Sequence, residues 1–259
     1  DGMAVSRAVL TNVYAAPDSC QDVRVVKEKA ASIRALNRER ITAAILDAAR
    51  DQIAHSGASA LSVRAITREL GMASSAIYRY FPSRDDLLTK LIIDSYDSLG
   101  AAVEAAESRV PREDLTGRFR AICRSTRRWA LDNQHEYFLI YGTPVPGYKA
   151  PQDTIAPATR VATLMITVLV EAAAVRATNG RQPAAPAELR RALSPMRSSV
   201  PDLVSDAEMA NGLSTFSALF GAISFELGGQ LHNVIRETET SRSAYFEFQI
   251  DGWIAALGW

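Results

Sequence analysis

The sequence predicts an all-α protein in two parts, an N-terminal three-helix helix-turn-helix domain and a larger helical domain behind it. Three observations carry that prediction. Long stretches are rich in Ala, Leu, Arg and Glu, all good helix formers. Prolines gather between those stretches, at Pro111, at Pro144, Pro146, Pro151 and Pro157, and at Pro183, Pro186, Pro195 and Pro201. Apolar residues recur at helical spacing, whereas no stretch sustains the alternation of a half-buried strand. About nine or ten helices are expected, with residues 34–83 as the first domain and 84–259 as the second.

Residues 1–33 show no sustained period and read as a partly disordered extension, although Val23 to Ile33 is charged and compatible with a helix. The first sharp pattern runs from Arg38 to Ser56. Ile41, Ala44, Ile45, Ala48 and Ile53 share one helical face, and Gly57 offers a left-handed stop. Ser62 is a good cap for a short helix Val63–Leu70, which Gly71 ends. After the Gly71-Met72-Ala73 turn, Ser74 can cap a second short helix reaching about Tyr80. Phe81-Pro82 breaks the chain, and Phe81 is expected to pack on the first helix. Ser83 then opens a long helix to about Glu107, with Asp85 and Asp86 favouring its N-terminal dipole.

Lys plus Arg and Asp plus Glu are both 29, so total charge excludes no partner. Residues 34–81 carry seven Arg (34, 38, 40, 50, 64, 68, 79) against four acids (Glu39, Asp47, Asp51, Glu69), a local net of +3. A basic end fits a nucleic acid, and it also fits an inert surface. Cys20 and Cys123 stand alone, which suggests a reducing compartment, and no segment reads as a signal peptide. The longest uncharged run, Met209–Phe225, is too short and polar for a bilayer, so no membrane partner is expected. No nucleophile elbow, phosphate-cradling loop or metal-ligand spacing is present, and His55, His135 and His232 lack partners at ligand spacing. An enzyme is not expected, nor a cofactor or metal.

Two short helices on a tight turn read DNA when three demands are met together. Inward positions must be apolar, as Ile66, Leu70, Met72 and Ile77 are. The turn must be sharp, and Gly71 permits a positive φ. The second helix must offer small or hydrogen-bonding side chains to the major groove, as Ser74, Ser75, Ala76, Arg79 and Tyr80 do. By spacing alone the same hairpin would serve equally well inside a helical bundle.

The residues Ile41, Ala48-Ala49, Gly57, Leu61-Ser62-Val63-Arg64-Ala65-Ile66, Leu70-Gly71-Met72, Ile77-Tyr78-Arg79-Tyr80-Phe81 and Arg84-Asp85-Asp86-Leu87-Leu88 resemble the DNA-binding domain of TetR-family regulators. Two departures are small: Ala73 stands where the family usually has a capping Ser, and Arg84 replaces the commoner Lys. The resemblance implies that Ser74, Ser75, Ala76 and Arg79 face base edges, with Tyr78 and Tyr80 towards the backbone. It also implies that Ser62, Arg64 and Arg84 grip phosphates, which helix N-termini and arginine forks do well. Upstream, Arg24, Lys27, Lys29, Arg34 and Arg38 read either as a solvated tail or as an arm along the minor groove.

From Asp114 onward the chain resembles the WHG-type TetR C-terminal domain, with Trp129, His135 and Gly142 at the named positions. Trp129, Tyr137, Phe138, Tyr141, Met165, Leu169, Phe216 and Phe220 read either as core or as the lining of a small-molecule cavity. The loop Tyr141–Pro151 is a candidate wall or lid, and His135 a candidate structural residue. Helices near Ala207–Glu237 and Arg242–Leu257 carry small residues that allow close approach. The resemblance implies that they pair with their twins as a four-helix dimer bundle. The resemblance therefore implies a cytoplasmic homodimeric repressor, released from a near-palindromic duplex operator by a small apolar or amphipathic ligand.

Overall fold

No proline or glycine stands between Pro17 and Gly57, so nothing local stops a helix there. In the computed structural model, which describes residues 21–176, 185–198 and 200–259, α1 accordingly runs unbroken over Gln21–Ser56. The expected start at Arg38, and a boundary at residue 33, give way to one rod that continues upstream of the domain. The expectation for residues 1–20 lies outside the described residues.

Gly57 at φ 77° ends α1, and a 3-10 turn Ala58–Ala60 leads to α2, Val63–Glu69. Ser62 caps α2 by accepting from the Ala65 amide, and Gly71 at φ 62° makes the turn. The second short helix is realised as 3-10 turns around Ile77–Arg79. Ser83 then caps α3, Arg84–Glu107, by accepting from the Asp86 amide.

The remaining helices are α4 (Leu115–Asp132), α5 (Gln134–Tyr141), α6 (Ile155–Arg176), α7 (Ala187–Ala192), α8 (Ser194–Arg197), α9 (Asp206–Leu227) and α10 (Glu239–Leu257). The expected continuation of α9 to Glu237 fails at Gly228-Gly229, where Gly229 at φ 76° and Asn233 at φ 60° turn the chain. No strand occurs among the described residues.

Two buried clusters divide the molecule inside α3. Leu87, Leu88, Leu91 and Ile92 close the first cluster with α1, α2, Ile77 and Phe81. Leu99 and Val103 join the second, built from α4, α5, α6, α9 and α10. One rigid helix is thus core to both parts, although the sequence placed the boundary at its start. The stretch Gln152–Val175 is long and apolar enough to cross a bilayer by length and composition, its most apolar 18 residues having a mean hydropathy of 1.6, which the sequence reading overlooked. Within it, Val161, Val168, Leu169 and Ala173 are buried in the second cluster, and Arg160 and Glu171 are ion-paired to α3 and α4. Those features suit a core helix.

Candidate nucleic-acid interface and cavity

The reading segment, residues 74–80, is anchored by one fully buried side chain, Ile77, and stands on the surface. Ser74, Ser75 and Arg79 are exposed, Tyr78 is 52% exposed, and Ala76 and Tyr80 are half-buried. Ser74 does not cap the segment as expected. A backbone turn from the Ala76 amide to the Ala73 carbonyl (2.8 Å) opens it, with no side-chain cap on the 3-10 turn that follows. The run is too short for a capped α-helix, because Phe81 must turn back into the core.

At the mouth of α2, Arg64 is exposed and Ser62 is half-buried. The Ser62 hydroxyl accepts from Ala65 and keeps its own proton available for an anion. Gln52, which the sequence reading did not single out, accepts from the Ser62 amide at 2.7 Å and ties the cap to α1. Arg84 departs from expectation. Its Nε donates to the Leu61 carbonyl (3.0 Å), and Nη2 donates to those of Ala58 (3.0 Å) and Ser59 (3.3 Å). The guanidinium thus staples the 57–62 connection to α3 and is not extended towards a phosphate.

A cavity of about 480 Å³ lies among α4, α6, α8, α9 and α10. Of the eight predicted lining residues, Met165, Leu169 and Phe216 are there. Trp129, Tyr137, Phe138, Tyr141 and Phe220 do not line it. They follow the core alternative or, for Phe138, sit 40% exposed on the surface. Tyr137 is fully buried, and its hydroxyl donates to the Phe220 carbonyl (2.9 Å) or pairs with Ser224. Tyr141 stacks on Phe220 at 4.2 Å, and Trp129 Nε1 donates to Ser98 at 2.9 Å. Burial pushes the Tyr96, Tyr137 and Tyr141 phenols up, so all three are neutral packing groups.

Sequence reasoning missed Phe119, Ala162, Ile166, Met196, Gly212, Leu213, Leu257 and Trp259, which complete the apolar lining. It also missed Thr159, Thr163 and Thr215, whose short polar side chains carry no pattern signal. Among the described residues, no charged side chain lines the cavity. The loop after Tyr141 does not wall it either. Val145 and Tyr148 pack on the first cluster, and Tyr148 Oη meets Thr89 Oγ1 at 2.9 Å, so the loop straps the second domain to the first. His135 is exposed, and His232 pairs with Glu237.

α6 lines the cavity and also grips α3. Arg160 donates to Glu104 through Nε (2.8 Å) and Nη2 (2.6 Å), and to the Asp97 carboxylate through Nη1 (2.9 Å). It lies across Gly100, where an added Cβ would stand 2.5 Å from Arg160 Nε. A second clamp joins Arg118, fully buried on α4, to Glu107 at the end of α3 (2.5 Å) and to Glu171 of α6. On α9 and α10, Leu213, Phe225, Tyr245 and Phe248 are exposed. A shallow groove there is floored by Ala218, Gly221 and Ala222.

Comparison with known proteins bears on both parts. Residues 45–91 match the model of bacterial regulatory proteins of the tetR family, and residues 119–252 match that of a tetracyclin repressor-like C-terminal domain. HTH-type transcriptional regulators of Mycobacterium bovis and Mycobacterium tuberculosis are 36% identical over 212 residues, 82% of this chain and 88% of theirs. The crystal structure of a regulatory protein 35% identical in sequence matches 85% of this chain and 97% of its own, with a TM-score of 0.66. A TetR-family transcriptional regulator from Thermus thermophilus, 18% identical, shares the fold over 82% of this chain and 97% of its own, at a TM-score of 0.55.

Proposed function

Because the chain belongs to the TetR family of transcription regulators and is no enzyme, we propose that it is a homodimeric repressor released from its operator by an uncharged apolar ligand. The observation that carries this reading is one helix, α3, built into both cores. It fixes the reading segment at one end and is gripped at the other by α6, the wall of the cavity. A ligand that moves α6 pulls Arg160 and, through it, α3. The reading segments of two protomers would then leave the 34–36 Å spacing that matches about one turn of duplex.

The cavity chooses the class of ligand. With no charged side chain among the described lining residues, an ionised group would lose its hydration and gain no partner, a cost of several kcal/mol. A neutral molecule with an apolar body and a group for the Thr215 hydroxyl suits it. For the dimer, the exposed apolar side chains of α9 and α10 and the small residues between them suit packing against a second copy. A DNA partner suits a cytoplasmic protein.

The test is an operator titration on duplexes selected from random sequence by the wild-type protein. Arg79→Ala is expected to cost about 1–3 kcal/mol and to relax one base position if Arg79 forks onto a guanine. Neutral apolar compounds screened against the cavity should weaken operator binding by about 1–3 kcal/mol of coupling. A compound that saturates the cavity and leaves operator affinity unchanged defeats the release reading.

A further inference from the structure

We propose that α1 carries a second phosphate-binding site, a cationic groove formed by Arg34 and Arg38 beside the reading segment, which holds the operator backbone outside the helix-turn-helix. The inference rests on the reading segment facing DNA. Arg34, Asn37, Arg38 and Ile41 recur at three- and four-residue intervals, so they form one stripe along α1. That stripe meets Arg79 and Tyr80, and together these six residues line a groove of about 360 Å³. Ile41 supplies its floor, and no acid stands among the described lining residues.

Arg38 is fixed in place. Its Nη2 donates to the Arg79 carbonyl at 3.1 Å, and its guanidinium stands 5.4 Å from the centre of the Tyr80 ring. That leaves most of its donors, and the whole of Arg34, directed at an exposed groove. Elsewhere in the molecule arginines at helix contacts meet carboxylates: Arg118, Arg127 and Arg160 are all ion-paired. Here three arginines converge with no anion in the described lining. An arrangement that repels itself in the free protein gains most from a phosphodiester, and one lies wherever the adjacent segment enters the major groove. The continuous α1 makes this possible, because a helix that started at Arg38 would not carry Arg34 on the same stripe.

The experiment measures affinity for the selected duplex over a range of salt, using wild type, Arg34→Ala, the double variant Arg34→Ala/Arg38→Ala, and Arg109→Ala as a charge control just past the far end of α3. Arg34 makes no hydrogen bond or ion pair among the described residues, so its variant should keep the wild-type melting temperature. Each phosphate contact removed should lower the magnitude of the log affinity–log salt slope by about 0.9, so by about 1.8 for a symmetric dimer. Base preference should stay unchanged, and Arg109→Ala should leave the slope alone. A slope for Arg34→Ala equal to wild type overturns the groove, as does an equal slope change in Arg109→Ala. A loss in the double variant without a slope change would make Arg38 a brace only, and also overturns it. If instead the wild type shows no salt-dependent binding, or Arg79→Ala binds as well as wild type, the fault lies with the reading segment itself.

Discussion

The two cores of this molecule are held in register by different means. Around the helix-turn-helix, register comes from local devices: the Ser62 and Ser83 caps, the Gly57 and Gly71 turns, and Arg84 reaching 23 to 26 residues back to carbonyls. The larger domain is laced by ion pairs between distant helices. Arg118 meets Glu171 across 53 residues, Arg127 meets Glu226 across 99, and Arg120 meets Asp251 across 131. The lesson is that a domain whose shape must match a fixed partner is specified locally, while one that shelters a cavity is specified by pairs that only the fold brings together.

The sharpest way to break that contrast is to remove one member of a buried pair. Glu107→Ala would leave the Nε of Arg118, which has no exposed surface, without a partner and Glu171 as its remaining carboxylate, and should cost about 3–5 kcal/mol. Trp129, Trp253 and Trp259 all lie in the larger domain, so a urea titration followed by tryptophan fluorescence reads that loss directly. A shift under about 1 kcal/mol would mean the ion pairs are ornamental to register.

The mirror experiment is Ile77→Ala. It empties the one fully buried anchor of the reading segment and should cost about 2–5 kcal/mol in the smaller domain. Operator binding should fall sharply while the tryptophan transition moves little. If both move together, the shared α3 makes the two cores a single cooperative unit.

Next in size is Arg84→Ala, which removes the charge-assisted bonds to Ala58, Ser59 and Leu61 and, because the side chain is partly exposed, should cost about 1.5–3 kcal/mol in all. Amide exchange should rise across 57–62 and stay unchanged in α4 and α6. Were affinity for DNA to drop with exchange unaltered, Arg84 would be a phosphate contact after all.

Acid gives the smallest and most diffuse effect. Hydrogen bonding from Arg160 holds the Glu104 carboxyl below its ordinary range, Arg124 does so for Glu247, and Ser243 followed by Arg127 for Glu239. Folded values lower than unfolded ones contribute stability above the ordinary carboxylate range and lose it as pH falls through the depressed values. Acidification should therefore loosen the larger domain first, seen as a fall in its tryptophan-detected midpoint. High salt should blunt the effect, because these groups are largely exposed.

Much of the smaller domain is legible residue by residue, because capping, turn and staple signals act within a few positions. The exceptions are instructive. Ser74 has the chemistry of a cap, yet the segment is too short to need one once Ile77 and Phe81 are both drawn into the core. Arg84 has the position of a phosphate grip, yet three carbonyls of an awkward connection lie closer. In the larger domain, aromatic residues drew attention as cavity lining because they are large. Tyr137 and Trp129 are instead core, since each finds a hydrogen-bond partner inside the protein and fills space. The true lining mixes Met, Leu, Thr and a Gly from five helices, and no spacing rule joins Phe119 to Thr215.

By itself, then, the sequence determined most of the helices, the Ser62 and Ser83 caps and the Gly57 and Gly71 turns, since those depend on neighbours three or four positions away. Only the tertiary structure decided where the cavity lies, which arginines pair, and that α3 belongs to both cores. These depend on contacts between side chains distant along the chain, whose energies exist only once burial has removed the competing water.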